Sequence, residues 1–172
     1  MQDDTIENLV KKAKQKDADA FMELMQLYTK DMYRVALAIL LNDEDAADAM
    51  QDTVLVCWDK IDTLKYVQYF KTWMIRILIN KCYKIRKSRE HICALEEYEE
   101  VAVYDEYNLE LKEALQTLDE KYRIILTMFY SEGYHIEEIA RILKMPKSTV
   151  QTRLHRGRKK LAECYYGMER EG

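Results

Sequence analysis

The feature that most constrains the fold of this chain is how little it contains of the two residues that interrupt helices. Among its 172 residues there are one proline and four glycines, whereas 48% are hydrophobic and 34% are charged. Residues that favour helices are plentiful, and the turn residues that β-hairpins need are scarce. The sequence therefore predicts an all-α fold, with enough apolar residues for one medium core or two small ones.

Apolar residues recur at helical spacing through the first half of the chain, and their period predicts four helices. The first two form a hairpin in which Asp17 or Asp19 caps the second helix. Asn42 or Asp43 then offers an N-cap to a third helix, and after a short polar loop a fourth helix is predicted at about 69–88.

Acidic residues dominate after the fourth helix, and the apolar period is weak there. This composition predicts a flexible acidic linker over residues 89–108. The linker would join a four-helix domain at residues 1–88 to a second helical domain at residues 109–172.

The second domain contains a pattern of helix, break and helix. Gly133 ends one helix, apolar residues share a face over 136–143, and the single proline interrupts the period at 144–146. Ser148 then begins a helix that continues to about Ala162. This arrangement is typical of a helix-turn-helix, which places its second helix in the major groove of DNA.

The outward face of that second helix is rich in hydrogen-bond donors. Between Arg141 and Lys160 eight residues are basic and none is acidic, whereas an ordinary solvated helix face mixes both signs. This contrast favours DNA binding even though the net charge of the chain is −4. The candidate DNA-contacting residues are Lys147, Ser148, Gln151, Thr152, Arg153, His155, Arg156, Arg158 and Lys159.

Position along the helix divides these candidates into two groups. Recognition helices present their N-terminal turns to the groove, so Gln151, Thr152 and His155 are predicted to contact bases. Phosphate contacts are predicted for Arg153, Arg158 and Lys159. An alternative stays open for Gln151, because Ser148 and Gln151 also match a capping box in which the glutamine bonds the backbone.

Several other function classes lack support in the sequence. The four cysteines are scattered without a C-x-x-C, and His91-Ile92-Cys93 offers too few ligands for zinc, so reduced thiols and no metal or other cofactor are expected. There is no phosphate loop or nucleophile motif, which argues against an enzyme and a small-molecule substrate. The longest apolar run, Val35 to Leu41, is too short to span a bilayer, so a cytoplasmic protein without direct membrane insertion is expected.

Taken in order, five motifs resemble the extracytoplasmic-function sigma factors of the sigma-70 family over nearly the whole chain. They are DAADAMQD at 45–52 with Trp58, FKTW at 70–73 continuing through Asn80, LDEKYR at 118–123, EIA at 138–140 and STVQTRL at 148–154. The resemblance implies a sigma-2-like and a sigma-4-like domain. The sequence departs from the family at Asp119, where a proline is common, and at Gln151 and His155, so the promoter sequence is not predicted.

The resemblance also implies where each partner binds. The basic clamp helices of core RNA polymerase would meet an acidic set in the third helix: Asp45, Asp48, Gln51 and Asp52. A base flipped from the minus-10 element would be held at the loop 64–68 by Tyr66 and Gln68, with Asn80 beside it, while the basic fourth helix follows the promoter DNA. The whole minus-10 set is Lys65, Tyr66, Gln68, Lys71, Arg76, Asn80 and Lys84. The helix-turn-helix would contact the minus-35 element, principally through Gln151, Thr152, His155 and Arg156.

Two further expectations follow from the family resemblance and its alternative. Sigma factors of this type are generally held inactive by an anti-sigma factor, so such a partner is expected. The alternative is a two-domain transcription regulator that binds an operator without joining polymerase. An acidic third helix beside a basic fourth helix favours the sigma factor, because such a regulator would normally bind a palindrome as a dimer and needs no acidic patch.

Overall fold

The computed structural model describes residues 2–92 and 109–171, and the regular structure of these residues is helical throughout. The chain divides into two compact units, Met1–Glu97 and Tyr98–Gly172. The eight α-helices of the described residues are α1 (Gln2–Lys14), α2 (Ala18–Leu40), α3 (Asp43–Lys60), α4 (Phe70–Ile92), α5 (Leu109–Thr117), α6 (Glu120–Leu126), α7 (Ile136–Leu143) and α8 (Lys147–Glu171). Helix α4 includes residues 89–92, where the linker was expected to begin, and the rest of the predicted linker lies outside the described residues.

Helix α2 is the centre of the first unit and packs against α1, α3 and α4. The structure decides between the alternative caps. Asp17 caps α2, since its Oδ1 accepts from the Ala20 amide at 3.1 Å, and Asn42 caps α3, since its Oδ1 accepts from the Asp45 amide at 2.9 Å.

The apolar core of this unit lies between α2, α3 and α4. Its largest fully buried side chains include Leu24, Met32, Phe70, Met74 and Leu78. On α3 the buried positions are mostly small, Ala46, Ala49, Thr53 and Cys57, so α3 lies directly along α4.

The burial of two cysteines in this core can be tested by their reactivity toward alkylating reagents. Burial raises the pKa of Cys57 and of Cys82 to about 12, and only the thiolate reacts with alkylating reagents. We expect both thiols to stay unmodified at about pH 8 while the unit is folded, and to react once it unfolds. Peptide mass spectrometry after timed alkylation measures this, with the half-buried Cys164 of the second unit as the reactive reference.

The same shift in pKa sets a pH dependence of stability. A thiol whose pKa is raised in the folded state stays protonated there, while the unfolded thiol ionises near its ordinary value of about 8.5. The contribution of Cys57 and Cys82 to the free energy of unfolding is therefore complete below that value and is lost as the pH rises toward 12. Labelling of Cys57 and Cys82 at the rate of Cys164 under native conditions would contradict the burial of these thiols, and with it both the predicted protection from alkylation and the pH dependence.

Helix α8 is the longest element of the second unit and packs against α5, α6 and α7. At its crossing with α6 stands Gly157, where a Cβ atom would lie 3.2 Å from Tyr122 Cβ and 3.3 Å from Leu126 Cδ1. After α6 the chain makes a π-turn, Thr127–Ser131, and Gly133 ends it with φ at +69°, as its predicted role as a helix terminator requires. No helix in the described part of the chain is long and apolar enough to cross a membrane.

Candidate nucleic-acid interface

Helices α7 and α8 are joined by the short turn that the sequence predicts at residues 144–146. Lys144 takes a left-handed conformation with φ at 54°, and the Met145 amide donates to the Ala140 carbonyl at 3.0 Å, which ends α7. Helix α8 starts at Lys147, and the Pro146 carbonyl accepts from the Thr149 amide at 3.0 Å. The described residues thus form a helix-turn-helix.

The start of α8 also resolves the alternative for Gln151. Ser148 lies inside the first turn of the helix rather than at its N-cap, and Gln151 is exposed. A capping interaction occurs instead at the start of α7, where the His135 amide donates to Glu138 Oε2 at 2.8 Å. The Gln151 side chain is thus not the capping group of the recognition helix.

The buried and exposed faces of α8 lie where the apolar period places them. Val150, Leu154 and Gly157 are buried. Of the α8 residues predicted to contact DNA, Arg153 is half-buried, and the others are exposed: Lys147, Ser148, Gln151, Thr152, His155, Arg156, Arg158 and Lys159. They form one continuous exposed surface, which we call the α8 face.

Some side chains of the α8 face already have partners within the protein. Lys147 Nζ lies 2.5 Å from Glu137 Oε1, and the Lys147 ammonium lowers the pKa of that carboxyl. Arg158 Nη1 donates to Tyr130 Oη at 3.1 Å, and the Thr152 hydroxyl donates to the Ser148 carbonyl at 2.9 Å. These contacts orient basic groups at the two ends of the face.

A second exposed cluster lies in the first unit, on the loop between α3 and α4. Two short 3₁₀ turns, Ile61–Thr63 and Val67–Tyr69, form this loop, and buried Ile61 and Leu64 fix it to the core. Tyr66 and Tyr69 are 60% and 54% exposed, with ring centroids 6.1 Å apart in an edge-to-face arrangement. Lys65 and Gln68 are exposed beside them. The apolar period predicts Tyr69 at the start of the fourth helix, so this pairing could not be predicted from the sequence.

Helix α4, which follows the loop, carries a stripe of exposed polar residues. Arg76, Asn80 and Lys84 are exposed and four residues apart, so they follow one stripe along the helix. Lys71 differs, since it is half-buried and its Nζ lies 3.0 Å from Asp31 Oδ2 on α2. Because Lys71 shares the Asp31 carboxylate with Arg34, its ammonium is held against α2 rather than extended into solvent.

Helix α3 presents an acidic surface made of Asp48, Gln51 and Asp52, all exposed. Leu55 follows one turn later and is 68% exposed, a feature that the sequence analysis did not single out. We call these four residues the α3 face. An apolar side chain framed by carboxylates suits a protein partner with a basic surface.

Asp45 is a correction to the set predicted for polymerase. It is 4% exposed, and its Oδ1 lies 2.6 Å from Arg89 Nη2 near the end of α4. Burial is the main cause that raises the pKa of this carboxyl, and Arg89 opposes it. Since α3 lies along α4, this side chain faces the neighbouring helix and joins the two elements instead of facing outward.

Comparison with protein families assigns both units. The model "Sigma-70 region 2" matches residues 24–91, and "Sigma-70, region 4" matches residues 108–161.

In the described part of the chain, no group of three His, Cys, Asp or Glu side chains is placed to hold a metal ion.

Individual relatives agree with this assignment over most of their length. The sigma factor SigW of Bacillus subtilis is 29% identical over 91% of this chain and 94% of its own. SigM of Mycobacterium tuberculosis is 30% identical over 85% of this chain and 77% of its own. The sigma factor RpoE of Bartonella quintana, solved in complex with the anti-sigma factor NepR, superposes with a TM-score of 0.74 at 25% identity, over 84% of this chain and 95% of that one. The chain belongs to the extracytoplasmic-function sigma factors of the sigma-70 family.

Proposed function

We propose that this sigma factor joins core RNA polymerase through the α3 face and contacts promoter DNA with two separate surfaces. The observation that carries the proposal is the division of charge within one small unit. Asp48 and Asp52 are exposed on α3, while Arg76 and Lys84 are exposed on α4. Two surfaces of opposite charge can engage a basic protein and a nucleic acid at the same time.

The proposed minus-10 contact is the tyrosine-bearing loop together with the stripe on α4. A base taken out of the DNA stack loses stacking energy, which an aromatic platform and hydrogen bonds to its edge must replace. Tyr66 and Tyr69 offer exposed ring surfaces, and Gln68 and Asn80 offer amide groups. Arg76 and Lys84 would then neutralise neighbouring phosphates.

The proposed minus-35 contact is the α8 face. Gln151 and His155 would contact base edges in the major groove, and Arg156 and Lys159 lie where phosphates or bases can be reached. Arg153, half-buried beside Met145, would contact a phosphate of the DNA backbone. We assign residues 1–92, through the end of α4, to the polymerase and minus-10 functions and residues 109–172 to the minus-35 function, with residues 93–108 as linker.

We further propose an anti-sigma factor as regulatory partner and the cytoplasm as the site of action. The support is the relative RpoE, whose solved complex contains the anti-sigma factor NepR. The chain itself would act as an initiation factor and leave catalysis to the polymerase.

Glu137 is predicted to weaken DNA binding, because it pairs with Lys147 at the edge of the α8 face. Replacing Glu137 with glutamine removes a negative charge and frees the ammonium for a phosphate. We expect minus-35 duplex affinity to rise about threefold and the slope of log affinity against log salt to steepen by about one. Fluorescence anisotropy titrations at several salt concentrations measure both quantities.

The matched control is Glu113→Gln, which makes the same charge change at an exposed position of α5. It should leave the salt slope unchanged. If Glu137→Gln behaves like this control, the pair with Glu137 does not withhold Lys147 from the phosphates and the prediction is wrong.

The experiment that tests the proposed function is a binding titration with purified core RNA polymerase. We expect a specific complex with nanomolar affinity that weakens as salt rises, since charge complementarity drives the encounter. Absence of a complex would refute the role in initiation while leaving the helix-turn-helix in place.

A further inference from the structure

Two lysines, Lys14 at the end of α1 and Lys16 in the turn that follows, hold the loop that carries Tyr66 and Tyr69. Lys14 Nζ donates to the Leu64 carbonyl at 2.5 Å, two residues before Tyr66. Lys16 Nζ donates to the Trp58 carbonyl at 2.8 Å, in the last turn of α3. Lys14 thus holds the middle of the loop, and Lys16 holds the end of α3 from which the loop starts; both lie more than forty positions earlier in the sequence.

Each lysine donates a hydrogen bond to a backbone carbonyl that has no helical donor. The Trp58 carbonyl is among the last four of α3, which have no intrahelical donor, and a cation near a helix C-terminus is favourable. Lys16 Nζ also lies 3.2 Å from Asp62 Oδ2 and 5.1 Å from the centroid of the Trp58 ring. Leu64 is buried, so its carbonyl gains an ionic donor at a place with little access to water.

Backbone hydrogen bonds hold the turn that follows Lys14 and contains Lys16. Lys16 has a left-handed backbone with φ at 65°, and the amide of Asp17 donates to the Lys12 carbonyl at 3.2 Å. Asp17 then caps α2, and Phe21 packs on the Trp58 ring at 5.0 Å. A rigid turn can therefore transmit its position to the loop.

We propose that Lys14 and Lys16 are positioning residues for base capture at the minus-10 element: their two hydrogen bonds hold the loop in the conformation that presents Tyr66, Gln68 and Tyr69. The inference rests on the proposed function of that loop and adds the residues that set its geometry. These lysines precede residue 24, where the match to the region 2 family begins. Preorganising the loop lowers the conformational cost of holding a flipped base.

The first arm of the test measures loop order without any DNA. Hydrogen exchange of the backbone amides of residues 61–69 is compared in the full chain and in Lys14→Met and Lys16→Met variants, which keep an apolar stem but lose the donor. We expect exchange in the loop to become about tenfold faster, the effect of losing one charge-assisted hydrogen bond. The control is Lys11→Met on the exposed side of α1, which should change nothing.

The second arm measures base capture in the assembled holoenzyme. The probe is a fork-junction fragment of a promoter mapped by in vitro transcription, compared with the same fragment carrying an abasic site at the captured position. We expect the affinity ratio between the two probes to fall about tenfold in the lysine variants. Affinity for core polymerase should stay unchanged, and Lys14→Arg, which keeps a donor for the Leu64 carbonyl, should restore the ratio.

The two arms separate failure of this inference from failure of the proposed function. If loop exchange in the lysine variants equals that of Lys11→Met, the anchoring is overturned whatever the DNA result. Faster exchange with an unchanged probe ratio would overturn the positioning role, because the lysines would then matter only for stability. If the unaltered chain itself does not distinguish the two probes, base capture by the loop is refuted instead.

Discussion

Replacing Gly157 with leucine is expected to unfold the second unit and to abolish binding to the minus-35 duplex. A Cβ atom at this position would already lie 3.2 Å from Tyr122 Cβ, and Tyr122 and Leu126 are both buried. Overpacking a core of this kind costs about 1–3 kcal/mol or more, which is a large part of the stability of a small unit. Thermal unfolding followed by circular dichroism measures the loss, and Gly157→Ala should be intermediate.

The same helix supplies the control for this experiment. A Cβ atom at Gly167 would meet nothing within 4 Å, so Gly167→Leu introduces the same side chain into open space. It should leave the unfolding transition unchanged or raise its temperature, because glycine is a poor helix former. Equal unfolding temperatures for the two leucine variants would show that α8 and α6 do not make the close contact at Gly157.

The second large effect is expected at the α3 face. The double variant Asp48→Lys, Asp52→Lys should lower affinity for core RNA polymerase at least about a hundredfold, since two attractive charges become repulsive. Binding of the chain to a minus-35 duplex should be unaffected, because the α8 face belongs to the other unit. Titration against core polymerase at two salt concentrations measures the loss and its electrostatic part.

Two comparison variants test whether the surfaces have separate tasks. Glu23→Lys changes an exposed acid on α2 of the same unit and should retain affinity for polymerase. Arg156→Ala on the α8 face should weaken the minus-35 contact and leave polymerase binding intact. If the α3 and α8 variants impair the same step, the proposed division of tasks is refuted.

The elements that depend on local sequence were predictable. Helical period and capping residues placed the starts of α2 and α3 to within two residues, at Asp17 or Asp19 and at Asn42 or Asp43. Pro146 with its flanking residues placed the break of the helix-turn-helix. Each of these features is determined by hydrogen bonds within a few residues, so the pattern of side chains alone contains the information.

Pairings between distant helices were not predictable in the same way. Asp45 resembles its exposed acidic neighbours in sequence, and only the packing of α3 along α4 shows that Arg89 buries and pairs it. The ion pair between Lys71 and Asp31 has the same origin, because it joins α4 to α2. A helical period identifies the buried side of one helix but not the partner that each side chain meets.

Only part of the candidate interface was predictable from the sequence. The α8 face followed from its apolar stripe, since exposure is the complement of a well-defined buried side. The exposure of Leu55 and the pairing of Tyr66 with Tyr69 did not follow from the sequence. The helical period assigns apolar residues to the buried side of a helix, and these side chains are exposed.

The role of this chain in initiation is best tested by in vitro transcription of genomic DNA by core RNA polymerase, with and without the chain. We expect a new set of start sites that share minus-10 and minus-35 elements and that vanish with the Asp48→Lys, Asp52→Lys variant. The same start sites with and without the chain, or new sites that persist in that variant, would contradict it.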